Sequence, residues 1–355
     1  MIISRTPYRI SFFGGGTDYP AWFEKYGGSV LSTTINKYCY ISARVLPPFF
    51  EHKSRIVWGK VEKVSSNDKI EHPSVRAALQ HLNITHGVEI HHDGDLPARS
   101  GLGSSSSFTV GLHHVLHAMN ERMISKYDLA QEAIYAEKIL LKEEVGVQDQ
   151  IAVSFGGFNK ITINPDHSFA VTPIILPKER LESLEKSIML FFTGISRTAS
   201  TIAKEKVSSF SQKSQNLHAL RQMVDSALEI LSSTGDICEF GKLLHEAWLL
   251  KRDISKGISS SFIDDIYEKA IRAGACGGKI LGAGGGGFMM FIASPEKQKA
   301  ILSALHDFLY VPIKFDFSGS QLIFYQNEDY SNYALSDSFF AHHNIDALKQ
   351  KRSCS

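Results

Sequence analysis

The sequence predicts an α+β protein of two domains, and three observations carry that prediction. The chain has 355 residues, more than one hydrophobic core comfortably serves. Its early part is rich in β-branched and aromatic runs, whereas beyond Pro165 apolar residues recur mainly at helical spacing. No fixed period repeats along the chain, which argues against solenoids and propellers.

Residues 2–13, 38–46 and 55–64 read as strands, and Gly14-Gly15-Gly16 breaks the first. A strand over 87–92 runs through Asp93-Gly94-Asp95-Leu96-Pro97 into a glycine- and serine-rich loop. Phe108, Leu112, Val115, Leu116 and Met119 then recur at helical spacing, so a helix begins near 104–106. A second helix spans about 126–143 with Leu129, Ala133, Ala136 and Leu140 on one side, followed by Gly146 and Gln148-Asp149-Gln150. Leu217, Leu220, Val224, Leu228 and Leu231 predict a long amphipathic helix, and further helices are expected over 239–251 and 261–273. Residues 279–281, a glycine run and 288–293 read as strand, turn and strand. A helix over 296–309 and an alternating hairpin across 312–325 follow. Pro165, Pro173 and Pro177 set the boundary within 164–178, giving domains of 1–170 and 171–328 and a tail of 329–355.

Composition excludes several classes of partner. Hydrophobic residues at 43% and charged residues at 21% describe an ordinary soluble globular chain. Lys plus Arg (38) nearly cancels Asp plus Glu (37), so no global basic field drives nucleic-acid or membrane binding. Any anion site has to be built locally. The most apolar run, 288–293, is far shorter than the roughly 20 residues that cross a bilayer. Cys39, Cys238, Cys276 and Cys354 lie far apart without a Cys-x-x-Cys pair, which predicts reduced thiols in a cytoplasmic protein.

The most informative segment is Pro97-Ala98-Arg99-Ser100-Gly101-Leu102-Gly103-Ser104-Ser105-Ser106-Ser107. A strand leads in and an apolar-periodic helix leads out. Glycines let the backbone approach a phosphate closely, and the first helical amides lack intrahelical acceptors at the positive end of the dipole. Together these build an anion site, with serine hydroxyls as added donors and a metal ligand. Four successive serines exceed what one helix cap uses. No Gly-Lys-Ser/Thr ends the loop, so it is not a Walker A sequence. The Gly-x-Gly-x-x-Gly at Gly282, Gly284 and Gly287 leads into a strand-like run, so it does not mark a dinucleotide fold. His113 and His117 have helical i, i+4 spacing but no Glu follows His113, so packing or solvent explains them better than a metal. The same holds for His91-His92 and His342-His343.

Three motifs in order resemble the galactokinase, homoserine kinase, mevalonate kinase and phosphomevalonate kinase (GHMP) superfamily. They are Pro7-Tyr8-Arg9-Ile10-Ser11-Phe12-Phe13-Gly14-Gly15-Gly16-Thr17-Asp18-Tyr19, the 97–107 loop, and Lys279-Ile280-Leu281-Gly282-Ala283-Gly284-Gly285-Gly286-Gly287-Phe288. The resemblance implies the GHMP kinase fold. That is a ribosomal-protein-like α+β N-terminal domain and a ferredoxin-like C-terminal domain, with the active site between them. It implies ATP held by Pro97, Arg99, Ser100, Gly101, Leu102, Gly103, Ser104, Ser105, Ser106 and Ser107, and Mg²⁺ held by Ser105 and Glu137. It implies Asp149 facing the attacking hydroxyl and Arg9 near the transferred phosphoryl group. Phosphoryl transfer suits this set, because it needs charge neutralised and the nucleophile held in line.

Galactokinases carry Glu-His where this chain has Gly15-Gly16. The first motif most resembles the D-glycero-D-manno-heptose 7-phosphate kinases and the kinase part of L-fucose kinases. The implied reaction phosphorylates the anomeric C1 hydroxyl to the 1,7-bisphosphate, on the route to GDP-heptose. Substrate contacts are expected at Gly15, Gly16, Thr17, Asp18, Gly284, Gly285 and Gly286, with Arg197 gripping the phosphate already present. The partner is thus a small-molecule sugar phosphate, and the reading leaves room for a homo-oligomer. A non-catalytic sugar sensor on the same fold is the competing class, and the joint presence of Ser105, Glu137 and Asp149 argues against it.

Overall fold

Two long strands organise the first sheet. β1 (Ile2–Phe13) and β2 (Gly28–Val45) pair antiparallel, from Ile2 opposite Ala43 to Phe13 opposite Leu31. The structure, a computed structural model, describes residues 1–47, 49–195, 210, 213–255, 257–328 and 330. The turn between β1 and β2 holds α1 (Pro20–Tyr26), whose proline at the first position needs no hydrogen-bond acceptor. The second strand was expected from residue 38; it begins at Gly28, because a run of small and hydroxyl side chains continues the ladder beside β1.

Beyond β2 the chain forms β3 (Ser54–Val57) and β4 (Val61–Val64), α2 (Pro73–His81) and β5 (Val88–Gly94). The single strand expected over 55–64 is therefore a tight hairpin, closed by Trp58 N–H donating to Lys60 O. α3 (Ser104–Met119) lays Leu112, Val115 and Leu116 against the sheet, all fully buried. α4 (Lys126–Tyr135) passes into a π-turn at Ala136–Leu140, so the helix expected to 143 changes pitch around Glu137. α5 (Gln148–Phe155), β6 (Phe158–Ile163) and β7 (Phe169–Pro173) complete the first run, with β6 on the early half of β2 and β5 on the late half.

After α6 (Lys178–Ser187), a second sheet of four antiparallel strands forms in the order β11-β8-β10-β9. These are β8 (Ile188–Phe192), β9 (Gly277–Ile280), β10 (Phe288–Ile292) and β11 (Leu309–Tyr310). With it run α7 (Ser214–Ser232), α8 (Cys238–Ile254), α9 (Ser261–Arg272) and α10 (Pro295–Ala304). Ser260 caps α9 by accepting from Ile263 N–H.

The hairpin expected across 312–325 does not form. β12 (Phe315–Asp316) pairs with β2 and β13 (Gln321–Tyr325) pairs with β1, so both return to the first sheet. Alternation announces a strand but not its partner. Residues 315–325, assigned from sequence to the second domain, thus complete the first. The two halves also share one continuous apolar cluster, in which Phe240 of α8 meets the rings of Phe12 and Phe13 edge-on at 5.4 and 5.1 Å. Cys238 and Cys276 form a disulfide, correcting the expectation of reduced thiols. Their separation in sequence is closed because α8 packs on β9, with Gly241 leaving room for the Cys276 side chain.

Candidate active site

The loop between β5 and α3 turns on left-handed residues. Arg99, Gly101 and Gly103 have φ of 59°, 83° and 75°, and Gly103 ends the loop where α3 starts. Its serines have separate jobs. Ser104 Oγ accepts from Arg99 N–H at 3.1 Å, and Ser107 Oγ donates to Pro7 O and Gly103 O, both at 3.0 Å. Ser106 is buried and donates to Glu137, while Ser105 is the exposed member of the four. The first-turn amides of α3 open at the same place, free of intrahelical acceptors.

Arg9 and Asp149 meet at this mouth. Arg9 Nε and Nη2 donate to the two oxygens of Asp149 at 2.8 and 2.6 Å, and Nη1 donates to Gly101 O at 2.6 Å. The Arg9 side chain is 4% exposed and that of Asp149 is 24% exposed. The pair is bidentate, planar and partly dry, the geometry in which a guanidinium fixes a carboxylate most firmly. Arg9 therefore ties the carboxylate and the loop into one rigid unit, with two of its five N–H groups left over. A Cβ on Gly103 would stand 3.1 Å from Arg9 Cγ, so glycine is what lets the Arg9 side chain lie close against the loop. Asp149 lies in the first turn of α5, where the helix dipole favours a negative charge.

Glu137 sits deeper, on the π-turn, with 1% of its surface exposed. Ser106 Oγ and Gln150 Nε2 donate to its Oε2 at 3.2 and 2.6 Å. Oε1 has no well-formed hydrogen bond among the described residues, although the Thr109 hydroxyl lies near the carboxyl and favours its charged form. Burial, helped by the charge of Glu143, pushes the carboxyl up to about 8 despite the Gln150 bond. A buried carboxylate oxygen short of a partner, beside serine hydroxyls and open amides, fits a hard divalent cation shared with phosphate oxygens.

The other two glycine-rich segments converge from different sides. In the first, Gly16 N–H donates to Asp18 Oδ1 at 2.8 Å, and Thr17 Oγ donates to Gly14 O, so Asp18 and Thr17 are buried and turned onto the loop itself. Gly15 is partly open. In the third, Cβ atoms on Gly282 and Gly287 would lie 2.5 Å from Gly101 Cα and 2.2 Å from Ser100 O. The second half therefore presses its backbone directly on the phosphate loop. Gly284, Gly285 and Gly286 pack on Ile258 and Ile195, and Gly285 and Gly286 are buried there. Two lysines that sequence reasoning passed over brace this junction. Lys279 Nζ donates to Ser11 O and Phe12 O at 3.0 and 2.7 Å, and Lys251 Nζ donates to Gly282 O at 2.7 Å. Arg197, with Ser196 and Thr198, lies outside the described residues, as do His342, His343 and Cys354.

Residues 72–157 match the model of the GHMP kinases N-terminal domain and residues 219–311 that of the GHMP kinases C-terminal domain, together just over half of the chain. The chain belongs to the GHMP kinase family. A D-glycero-alpha-D-manno-heptose 7-phosphate kinase from Campylobacter jejuni is 29% identical over 86% of this chain and 93% of its own. An L-fucokinase/L-fucose-1-P guanylyltransferase from Bacteroides fragilis is 28% identical over 85% of this chain but 35% of its own. Among solved structures, a D-glycero-D-manno-heptose 1-phosphate kinase from Bacteroides thetaiotaomicron superposes with a TM-score of 0.75 at 23% identity, covering 92% of this chain and all of that one, and supports the fold. The protein is an ATP-dependent sugar kinase with two GHMP domains in an α+β fold.

Beside the 97–107 loop lies an aromatic cluster that the sequence did not reveal. His72 stacks on Phe108 at 4.8 Å, Trp58 meets His72 edge-on at 4.8 Å, and His92 meets Phe108 edge-on at 5.0 Å. Trp58 Nε1 donates to Glu62 Oε1, which sets the indole plane. Trp58 in a polar hairpin turn was the available signal. His113 and His117 share Glu132, at 2.8 and 2.6 Å. Burial would raise this carboxyl, but hydrogen bonds from the two imidazoles outweigh it and hold it down at about 2. Among the described residues no three His, Cys, Asp or Glu side chains converge to hold a metal ion, and no helix is long and apolar enough to cross a membrane.

Proposed function

We propose that this kinase transfers the γ-phosphoryl group of ATP to the anomeric C1 hydroxyl of D-glycero-D-manno-heptose 7-phosphate, giving the 1,7-bisphosphate. The observation that carries the substrate is the Campylobacter relative, matched over nearly the full length of both chains. The bare Gly15-Gly16 supports it, since a bulkier sugar has room there.

The ATP phosphates would rest on the amides of residues 97–107 and the open first turn of α3, with the purine against the aromatic cluster of Trp58, His72, His92 and Phe108. Glu137 and the exposed Ser105 would hold Mg²⁺, with Ser106 and Gln150 steering the carboxylate. When bound, that ion neutralises charge on the transferred group. Asp149, fixed by Arg9, orients the acceptor hydroxyl and accepts its proton as the new O–P bond forms. The remaining Arg9 N–H groups face a phosphoryl oxygen. Arg197 is assigned the 7-phosphate.

Steady-state kcat/KM for heptose 7-phosphate, free heptose, mannose, L-fucose and galactose tests the assignment. The heptose phosphate is expected to lead. A higher value for L-fucose or galactose overturns it. Arg197→Ala should lower use of the phosphorylated sugar by about one to two decades without weakening ATP binding.

A further inference from the structure

Gln148, the residue before Asp149, opens α5 and is only half-buried. Ser11 Oγ, at the end of β1, donates to its Oε1 at 2.8 Å. The Ser11 carbonyl is in turn held by Lys279 Nζ. The amide is thus oriented from behind, and its Nε2 makes no hydrogen bond among the described residues. A Cβ on Gly15 would stand 3.8 Å from that Nε2 and 3.6 Å from Ser11 Oγ.

The conformation of Gly15 makes this spacing informative. Gly14 and Gly16 have φ of 79° and 114° and need glycine for their backbone, but Gly15 does not lie in the left-handed region. Alanine would be accepted there sterically, at ordinary contact distances. What glycine provides at 15 is therefore a bare backbone over Gln148: even a Cβ there would touch the amide, whose oriented N–H donors have no partner among the described residues. Asp149 is the next residue along α5. Such donors discriminate well, because a ligand lacking the matching oxygen leaves them unpaired.

We propose that Gln148 determines substrate specificity: its Nε2 donates to a sugar oxygen neighbouring the hydroxyl that Asp149 faces, in the room kept by Gly15. This rests on the sugar-kinase reading of the same site. The ligand class is a polyhydroxylated ring with an acceptor oxygen on the carbon next to the reacting one.

The test uses the full chain with D-glycero-D-manno-heptose 7-phosphate and its 2-deoxy analogue, measuring kcat/KM for each sugar and KM for ATP. Gln148→Met keeps the length and removes the donor. Gln148→Glu keeps the acceptor for Ser11 but turns a carboxylate oxygen toward the sugar. Gln148→Met should lower kcat/KM for the parent sugar by about 3- to 10-fold and leave the KM for ATP unchanged. It should also erase most of the wild-type preference for the parent over the 2-deoxy sugar, and Gln148→Glu should lose more. Gly15→Leu, filling the space, should raise the sugar KM while sparing ATP. Thermal melting checks that each variant is folded. Unchanged sugar kinetics in Gln148→Met, or a wild-type preference that survives in it, overturns the proposal. Wild-type protein that turns over neither sugar overturns the underlying substrate reading, a failure visible before any variant is made.

Discussion

The kinase has two glycine-rich loops that touch, and they do opposite work. The loop over 97–107 spends its left-handed residues on bringing the chain into α3 with the first helical amides open and Ser105 exposed. The loop over 282–287 spends its own on letting one backbone lie on another, with Gly287 against Ser100 O and Gly282 against Gly101. Glycine richness therefore marks close approach, and only the neighbouring element says whether a ligand or another loop approaches. A helix that starts at the loop leaves amides free; a strand such as β10 consumes them.

The sharpest separation of the two roles is expected from Asp149→Asn. It should cut turnover by roughly a factor of 10² to 10⁴ while nucleotide binding persists, because Arg9 still holds Gly101 O and asparagine keeps one acceptor oxygen for the guanidinium. Stopped turnover and titration of an ATP analogue measure the two halves of that statement. Near-wild-type turnover removes Asp149 from the chemistry.

Gly287→Ala comes next and should act on the fold. Its Cβ would fall 2.2 Å from Ser100 O at a φ of 93°. A loss of about 2–4 kcal/mol in urea unfolding is expected, with activity falling alongside. Loss of activity at full stability would show that the third motif binds ligand directly.

Smaller again is the effect of Glu137→Gln on the metal-free protein. The folded carboxyl is raised from 4.5 to about 8, so between those values the unfolded chain has released a proton that the folded one still holds. Stability is therefore lost as pH rises through this window, and the Gln variant should escape that loss. Melting in chelator at pH 5 and pH 8.5 should show the variant gaining on wild type at the higher pH. The same proton competes with magnesium, so wild-type affinity for the ion should climb as pH approaches 8.

The smallest difference separates two adjacent serines. Ser105→Ala should raise the magnesium requirement with stability unchanged to within about 0.5 kcal/mol. Ser106→Ala, which removes one of the two donors to a buried carboxylate oxygen, should cost about 1 kcal/mol of stability as well. Identical behaviour in the two would erase the distinction.

Much of the fold was legible because periodicity is local. The helices of α3, α7 and α9 announce themselves by apolar residues on one face. Partners are not local. Nothing near residues 315–325 says that they pair with β1 and β2, and nothing near Arg9 names Asp149. Which serine faces Glu137 depends on where α3 begins, since one residue of phase turns a side chain by roughly 100°. The aromatic cluster escaped notice for the same reason: Trp58, His72, His92 and Phe108 come from four separate elements or turns.

The central claim is that a phosphoryl group passes from ATP to the anomeric oxygen of a heptose phosphate at the junction of these loops. Phosphorus NMR of a reaction containing the kinase, ATP, magnesium and D-glycero-D-manno-heptose 7-phosphate tests it most directly. The expected product shows the original phosphate unchanged and a second phosphate resonance coupled to the anomeric proton. A new phosphate on any other carbon, or ATP consumed without a new sugar phosphate, would contradict the account.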